Sequence, residues 1–276
     1  MKAVYMLMHQ HKPNVAEIAA NVLNAFHKAG ISVSAERWLE QLMSDLPFDH
    51  CTADECEAVI AVGGDGTLLR ANSLALLYDK PVFGINVGRV GFLTEIELDQ
   101  LETACQALAL DHYTVETRMM LEANLDGERM LAVNDVVVTR GGYSRLITMN
   151  AWVDDDLIGR FTADGLIVST PTGSTGYSLS AGGPIICPEM ECMLITPVCA
   201  HSLQHRPVVT SASRPIRVKL EEGYAAQVSV DGLPPIAMSD QSQLIITRSA
   251  CSAHFIRLES KSFFSKIRFK LSEWSC

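Results

Sequence analysis

Residues 58–62, Ala-Val-Ile-Ala-Val, form an unbroken apolar run that enters Gly63-Gly64-Asp65-Gly66-Thr67, and residues 67–78 beyond it have helix composition without glycine or proline. A strand that is apolar at every position, rather than at alternate ones, has both faces covered, which is the pattern of a parallel sheet with helices on each side. The unit recurs. Ala3 to Met8 is a short apolar run, and Pro13 then precedes a helical pattern of Val15, Ile18, Ala19, Val22, Leu23 and Phe26 that stops at Gly30. Ile31 to Ala35 reads as the second strand, and Val82 to Asn86 as another that again enters glycines, Gly88 and Gly91. Strands and helices alternating at this length predict an α/β domain with a parallel sheet over about residues 1–110.

From about Tyr113 the pattern changes. Residues 120–140 predict a hairpin turning at Asp126-Gly127, with β-branched strands on either side. Strand composition continues through segments such as 165–170, 214–220 and 226–232, so the second domain, about 111–244, is β-rich.

The chain carries 22 Lys and Arg against 32 Asp and Glu, a net charge of −10. Such a chain lacks the basic surface that bulk binding to DNA, RNA or an anionic membrane requires, so any anionic ligand has to be met locally. The one basic stretch, Arg257 to Lys270, interleaves cations with phenylalanines and reads as a closing strand or tail with solvated charges. Eight scattered cysteines without a C-x-x-C fit reduced thiols and a cytoplasmic location. Only six residues separate Lys2 from His9, too few for a signal peptide, and no run approaches the roughly 18 apolar residues of a membrane span.

Two common phosphate-binding fingerprints fail. There is no Gly-Lys pair for a Walker loop, and Leu69 stands where the dinucleotide fingerprint needs its third glycine. The Gly63–Thr67 loop nevertheless joins a buried strand to a helix, where open α/β sheets place ligands and where a helix N-terminus favours phosphate. On spacing alone Asp65 is either a helix-capping turn residue or a carboxylate that holds a cation or accepts a proton. Phe92, in the second glycine loop, reads as core packing ahead of stacking on a base. A third segment follows a strand ending at Thr170: residues 171–184 hold four glycines, five Ser or Thr and one tyrosine. It is either a polar connector or a lining of neutral hydroxyls and amides suited to ribose and phosphate.

Together these motifs resemble the bacterial NAD kinase family. The resemblance covers nearly the whole chain: GGDGTLLRA (63–71), GRVGFLTE (88–95), Asn134-Asp135, DGLIVSTPTGSTGYSLSAGGP (164–184), HSLQHRPVV (201–209) and VSVDG (228–232). The first motif alone is shared with diacylglycerol and sphingosine kinases. The T-P-T-G-S-T block following it at this spacing is specific.

The resemblance implies ATP-dependent phosphorylation of the adenosine-ribose 2′-hydroxyl of NAD, with Mg²⁺ as the divalent cation. It also implies an α/β domain plus a β-rich domain, with a tail of about 245–276 returning to the first. Asp65 matches the family's general base and Gly66 lies against the dinucleotide. Asn134 and Asp135 match an Asn-Glu pair that orients the ribose, and Asp135 is a methylene shorter than the usual Glu. Thr175, Gly176, Tyr177, Ser178, Leu179 and Ser180 match the nucleotide-binding run, where alanine is common in place of Gly176. Asp164 matches a contact to the nicotinamide half, often made from a neighbouring subunit of a homodimer or homotetramer. Arg145, Thr162 and Asp231 match further substrate-side positions, and Arg70 with Arg145 would supply positive charge. On the first motif alone the alternative is a lipid kinase; a nucleotide-sensing module would keep the loops without turnover.

Overall fold

The computed structural model describes residues 1–44, 48–49, 51–88, 91–141, 146–202, 204–258 and 262–273. They form two compact units, one built from residues 1–117 and 253–276 and the other from residues 118–252.

The first unit runs β1 (Ala3–Met8), α1 (Val15–Lys28), β2 (Ser32–Ala35), α2 (Arg37–Leu42), β3 (Ala58–Gly63), α3 (Asp65–Leu77), β4 (Val82–Asn86), β5 (Ile96–Glu97) and α4 (Leu101–Ala109). Its strands are parallel in the order β2-β1-β3-β4, with β5 beside β4. Every residue of β3 and β4 is buried, as the apolar run of each requires, and the polar Asn86 that closes β4 is buried with them. Helix α1 places Ala19, Val22, Leu23 and Phe26 on its buried stripe. It ends in a Schellman motif: Gly30, at φ +77°, donates to His27 O while Ile31 N reaches Phe26 O. Because each crossover climbs one strand and returns by a helix, the loops after β1, β3 and β4 all emerge at the carboxyl edge of the sheet.

The chain leaves this unit along β6 (Thr114–Leu125) and continues through β7 (Glu128–Ala132), β8 (Asp135–Arg140), β9 (Ile147–Val153), β10 (Asp156–Ala163) and β11 (Gly165–Ser169). A single helical turn, α5 (Tyr177–Ser180), precedes β12 (Cys192–Val198), β13 (Val208–Ser211), β14 (Ile216–Leu220), β15 (Ala225–Val230), β16 (Ile236–Ser239) and β17 (Leu244–Arg257). The β6–β7 hairpin turns at Asp126-Gly127, both at positive φ, as the Asp-Gly pair predicts. One antiparallel sheet has the order β13-β12-β11-β8-β15-β16, and β10-β9-β14-β17 pair in another. Val136, Val168 and Val228 from the first share a core with Met149, Ile216 and Leu244 from the second.

The end of β17 rejoins the first unit, where Phe255 pairs with Val82 of β4, and α6 (Phe263–Glu273) follows. The basic stretch is thus not a solvated strand throughout: it is a strand to Arg257 and then a helix. Its charges are not all solvated either, since the Arg257 and Lys266 side chains are only 12% and 20% exposed. Among the described residues no helix is long and apolar enough to cross a membrane, and the seven described cysteines are free thiols.

Candidate active site

In the first unit the candidate site is built around Asp65, the first residue of α3. Its Oδ2 accepts the N–H of Phe92 at 2.8 Å, and its Oδ1 accepts those of Leu93 and Thr94 at 3.1 and 3.3 Å. A helix N-terminus also favours a carboxylate at this position. Asp65 therefore ties the second glycine loop to the first. Gly91 makes this possible: a Cβ there would overlap the Asp65 carboxylate. Gly63 is likewise required by packing, because its Cβ would overlap the Thr67 side chain. Gly64 and Gly66 differ, with no described atom within 4 Å of where a Cβ would stand. Their lack of a side chain leaves bare backbone facing open space at the helix start, the arrangement that lets a phosphate or ribose approach.

Arg70 is on the same helix but already engaged: its guanidinium donates to Glu36 at 2.7 Å and to Met8 O at 3.0 Å. Phe92 is half-buried, with the Lys270 ammonium 4.3 Å from its ring centroid.

In the second unit Asp231 plays a similar anchoring role. It sits with Gly232 at positive φ in the β15–β16 turn, closed by Leu233 N to Val230 O. Its carboxylate accepts the consecutive N–H groups of Val133, Asn134 and Asp135 at 2.7, 2.8 and 3.0 Å. That fixes the backbone of the Asn134-Asp135 pair. The Asn134 Oδ1 is buried without a hydrogen-bond partner among the described residues. Asp135 is 6% exposed; burial first, and the neighbouring Asp231 charge second, push its carboxyl up to about 7. Burial raises Asp231 too, against the opposing pull of its backbone donors.

The Ser/Thr-rich segment packs on this pair. Thr170 N donates to Asn134 O, and a Cβ on Gly173 would overlap the Asn134 backbone. Many of its hydroxyls turn inward: Ser174 bonds Pro171 O, Thr175 bonds Thr172 O, and the fully buried Ser178 shares a hydrogen bond with Thr196. Its helical content is a 3₁₀ turn at Thr172–Thr175 and the single turn α5, too short to sum a large dipole. Gly176 lies beside the Asn134 amide and the Asp135 carboxylate; Tyr177 and Ser180 are exposed and Leu179 half-buried. Asp164 accepts Arg140 Nε at 2.6 Å, and the Thr162 hydroxyl faces that of Thr148 at 3.1 Å. Arg140, absent from the residues singled out by sequence, carries no local motif that could have marked it. Arg145 lies outside the described residues.

With the geometry in place, the comparisons are decisive. Residues 6–113 match the model of the ATP-NAD kinase N-terminal domain and residues 133–258 that of the ATP-NAD kinase C-terminal domain. The chain belongs to the ATP-NAD kinase family. NAD kinase of Moorella thermoacetica is 38% identical over 99% of this chain and 90% of its own length, and that of Heliobacterium modesticaldum is 37% identical over 99% of both. Among solved structures of the family's fold, yeast NADH kinase complexed with NADH has a TM-score of 0.84 at 25% identity, covering 97% of this chain and 86% of that one. An Archaeoglobus fulgidus NAD kinase in complex with ATP has a TM-score of 0.75 at 26% identity, covering 99% of each. The NAD kinase family's α/β and β-rich halves correspond to the two kinds of sheet described above.

Proposed function

We propose that the chain transfers the γ-phosphoryl group of ATP to the 2′-hydroxyl of the adenosine ribose of NAD, giving NADP and ADP. The family membership supports the reaction, and the state of Asp65 carries the reading at residue level. A carboxylate has about four acceptor positions, and three are filled by the Phe92, Leu93 and Thr94 amides. Among the described residues the unfilled lone pair is on Oδ2, so Oδ2 is the atom that would take the ribose proton as the 2′-oxygen bonds to the γ-phosphorus and the bond to the β–γ bridging oxygen breaks. A positioned base of this kind is worth about 10²- to 10⁴-fold, the rest of the catalysis being alignment and charge stabilisation.

Within the second unit, Asn134, Asp135 and Gly176 lie side by side as the polar group that would meet nucleotide. Tyr177 and Ser180 would offer the exposed polar edge of the nucleotide-binding run. Asp164, held by Arg140 and about one-third exposed, is accessible for the contact that the family makes in homodimers or homotetramers. Mg²⁺ would neutralise the triphosphate.

The test is an incubation with NAD, ATP and Mg²⁺ coupled to an NADP-dependent dehydrogenase. NADP formation is the expected result, and Asp65→Asn should lower kcat at least about 10²-fold while KM for NAD stays put. No NADP from the wild-type chain refutes the reaction; near-normal turnover by the variant refutes the base.

A further inference from the structure

We propose that Arg257, contributed by the returning C-terminal strand, is a positioning residue for Asp65, acting through a single peptide group. The inference rests on the reading of Asp65 as general base. Arg257 Nη1 donates to Leu93 O at 2.9 Å. The Leu93 carbonyl and the Thr94 N–H belong to the same planar trans peptide, from which they point in opposite directions. That Thr94 N–H donates to Asp65 Oδ1 at 3.3 Å. The guanidinium therefore grips one end of a rigid plate whose other end holds the base. Turning the plate would move the donor off Asp65, and the cation polarises the carbonyl so that the N–H donates more strongly.

The grip is itself well braced. Arg257 is 12% exposed, and it also donates to Glu95 Oε2 at 3.0 Å from Nη1 and to Glu116 Oε2 at 2.7 Å from Nε. Glu95, 3% exposed, is further approached by Lys266 of α6 at 3.5 Å. Two carboxylates and two cations thus cluster here, and among the described residues Arg257 reaches the backbone of the loop at the Leu93 carbonyl. The parallel Phe255–Val82 pairing sets the register and puts Arg257, two residues on, level with Gly84 of β4, whose carbonyl accepts Glu95 N at 2.9 Å and so brings the 93–95 segment alongside. A guanidinium suits the task because its fork can serve Glu95, Glu116 and a carbonyl together, which an ammonium does less well.

The experiment measures kcat, KM for NAD and melting temperature for Arg257→Met and Arg257→Lys, each made in the wild-type and Asp65→Asn backgrounds. With Asp65 present, Arg257→Met should lower kcat about tenfold, the loss of one charge-assisted bond, with KM within twofold, and Arg257→Lys should recover part of it. In the Asp65→Asn background the same change should cost less than twofold, because the group being positioned no longer acts as a base. Equal losses in both backgrounds, or a loss expressed in KM, overturn the proposal. If Arg257→Met does not fold, the ¹⁵N-labelled Thr94 amide resonance decides: a shift toward weaker hydrogen bonding in Arg257→Lys supports the relay, and an unmoved resonance refutes it. Asp65→Asn alone reports on the base separately; near-normal turnover there removes the premise without bearing on the Arg257 contact.

Discussion

Replacing Asp135 by asparagine isolates the consequence of burying one carboxyl beside another. The group is 6% exposed and its carboxyl is pushed from 3.8 up to about 7, by burial first and by Asp231 second. For an acid with a raised folded-state value, the native chain holds a proton that the unfolded chain has lost. Stability therefore falls as pH rises from about 4 to about 7 and is level above that window. The full penalty is on the order of 4 kcal/mol, from a difference of about three pH units at 1.36 kcal/mol each. Asparagine has the same shape and never ionises, so the variant escapes the penalty. Between pH 5 and pH 8 its advantage over wild type should grow by about 2–3 kcal/mol, or about 5–10 °C in melting temperature for a unit of this size. Thermal unfolding of both proteins at half-unit pH steps provides the curve. A stability difference that stays constant across that range, or that widens toward acid, would refute the argument.

Two glycine substitutions separate packing from ligand approach. Gly66→Ala points a methyl into open space on a helix, so the melting temperature should hold or rise by the equivalent of up to about 1 kcal/mol, while KM for NAD or ATP rises at least tenfold if backbone meets ligand there. Unchanged KM values would assign Gly66 to the turn alone. Gly91→Ala drives a methyl into the Asp65 carboxylate and should lower kcat about as far as Asp65→Asn does, at least about 10²-fold. Wild-type kcat from Gly91→Ala would show that the amide cradle is dispensable.

Local pattern carried the parts of the fold that local forces determine. The run at Ala58–Gly63 is a buried parallel strand because no polar face exists to expose, and Asp126-Gly127 turns a hairpin because both residues accept positive φ. Helix α3 starts at Asp65 rather than at Thr67 because an acidic residue is favoured in a first turn despite the glycine that follows it. What escaped depends on partners far along the chain. The tail read as solvated because Glu95 and Glu116, which meet Arg257, lie more than 140 residues before it. Arg70 read as a free cation because Glu36 is 34 residues upstream. The hydroxyls of residues 171–184 read as either connector or ligand lining, and Ser174 and Thr175 close on carbonyls three residues back, a local bond that composition alone cannot distinguish from an outward one.

The two anchoring aspartates have a shared consequence. Asp65 and Asp231 each occupy a concavity of three successive main-chain amides, Phe92 to Thr94 in one unit and Val133 to Asp135 in the other. Such nests are general-purpose anion receptors, and a dissolved phosphate would fit either. Here the chain has filled both with its own side chains. A dissolved anion is denied those seats, while the bare backbone at Gly64 and Gly66 stays open. The carboxylates, for their part, are clamped before any substrate arrives and do not have to reorient when one does.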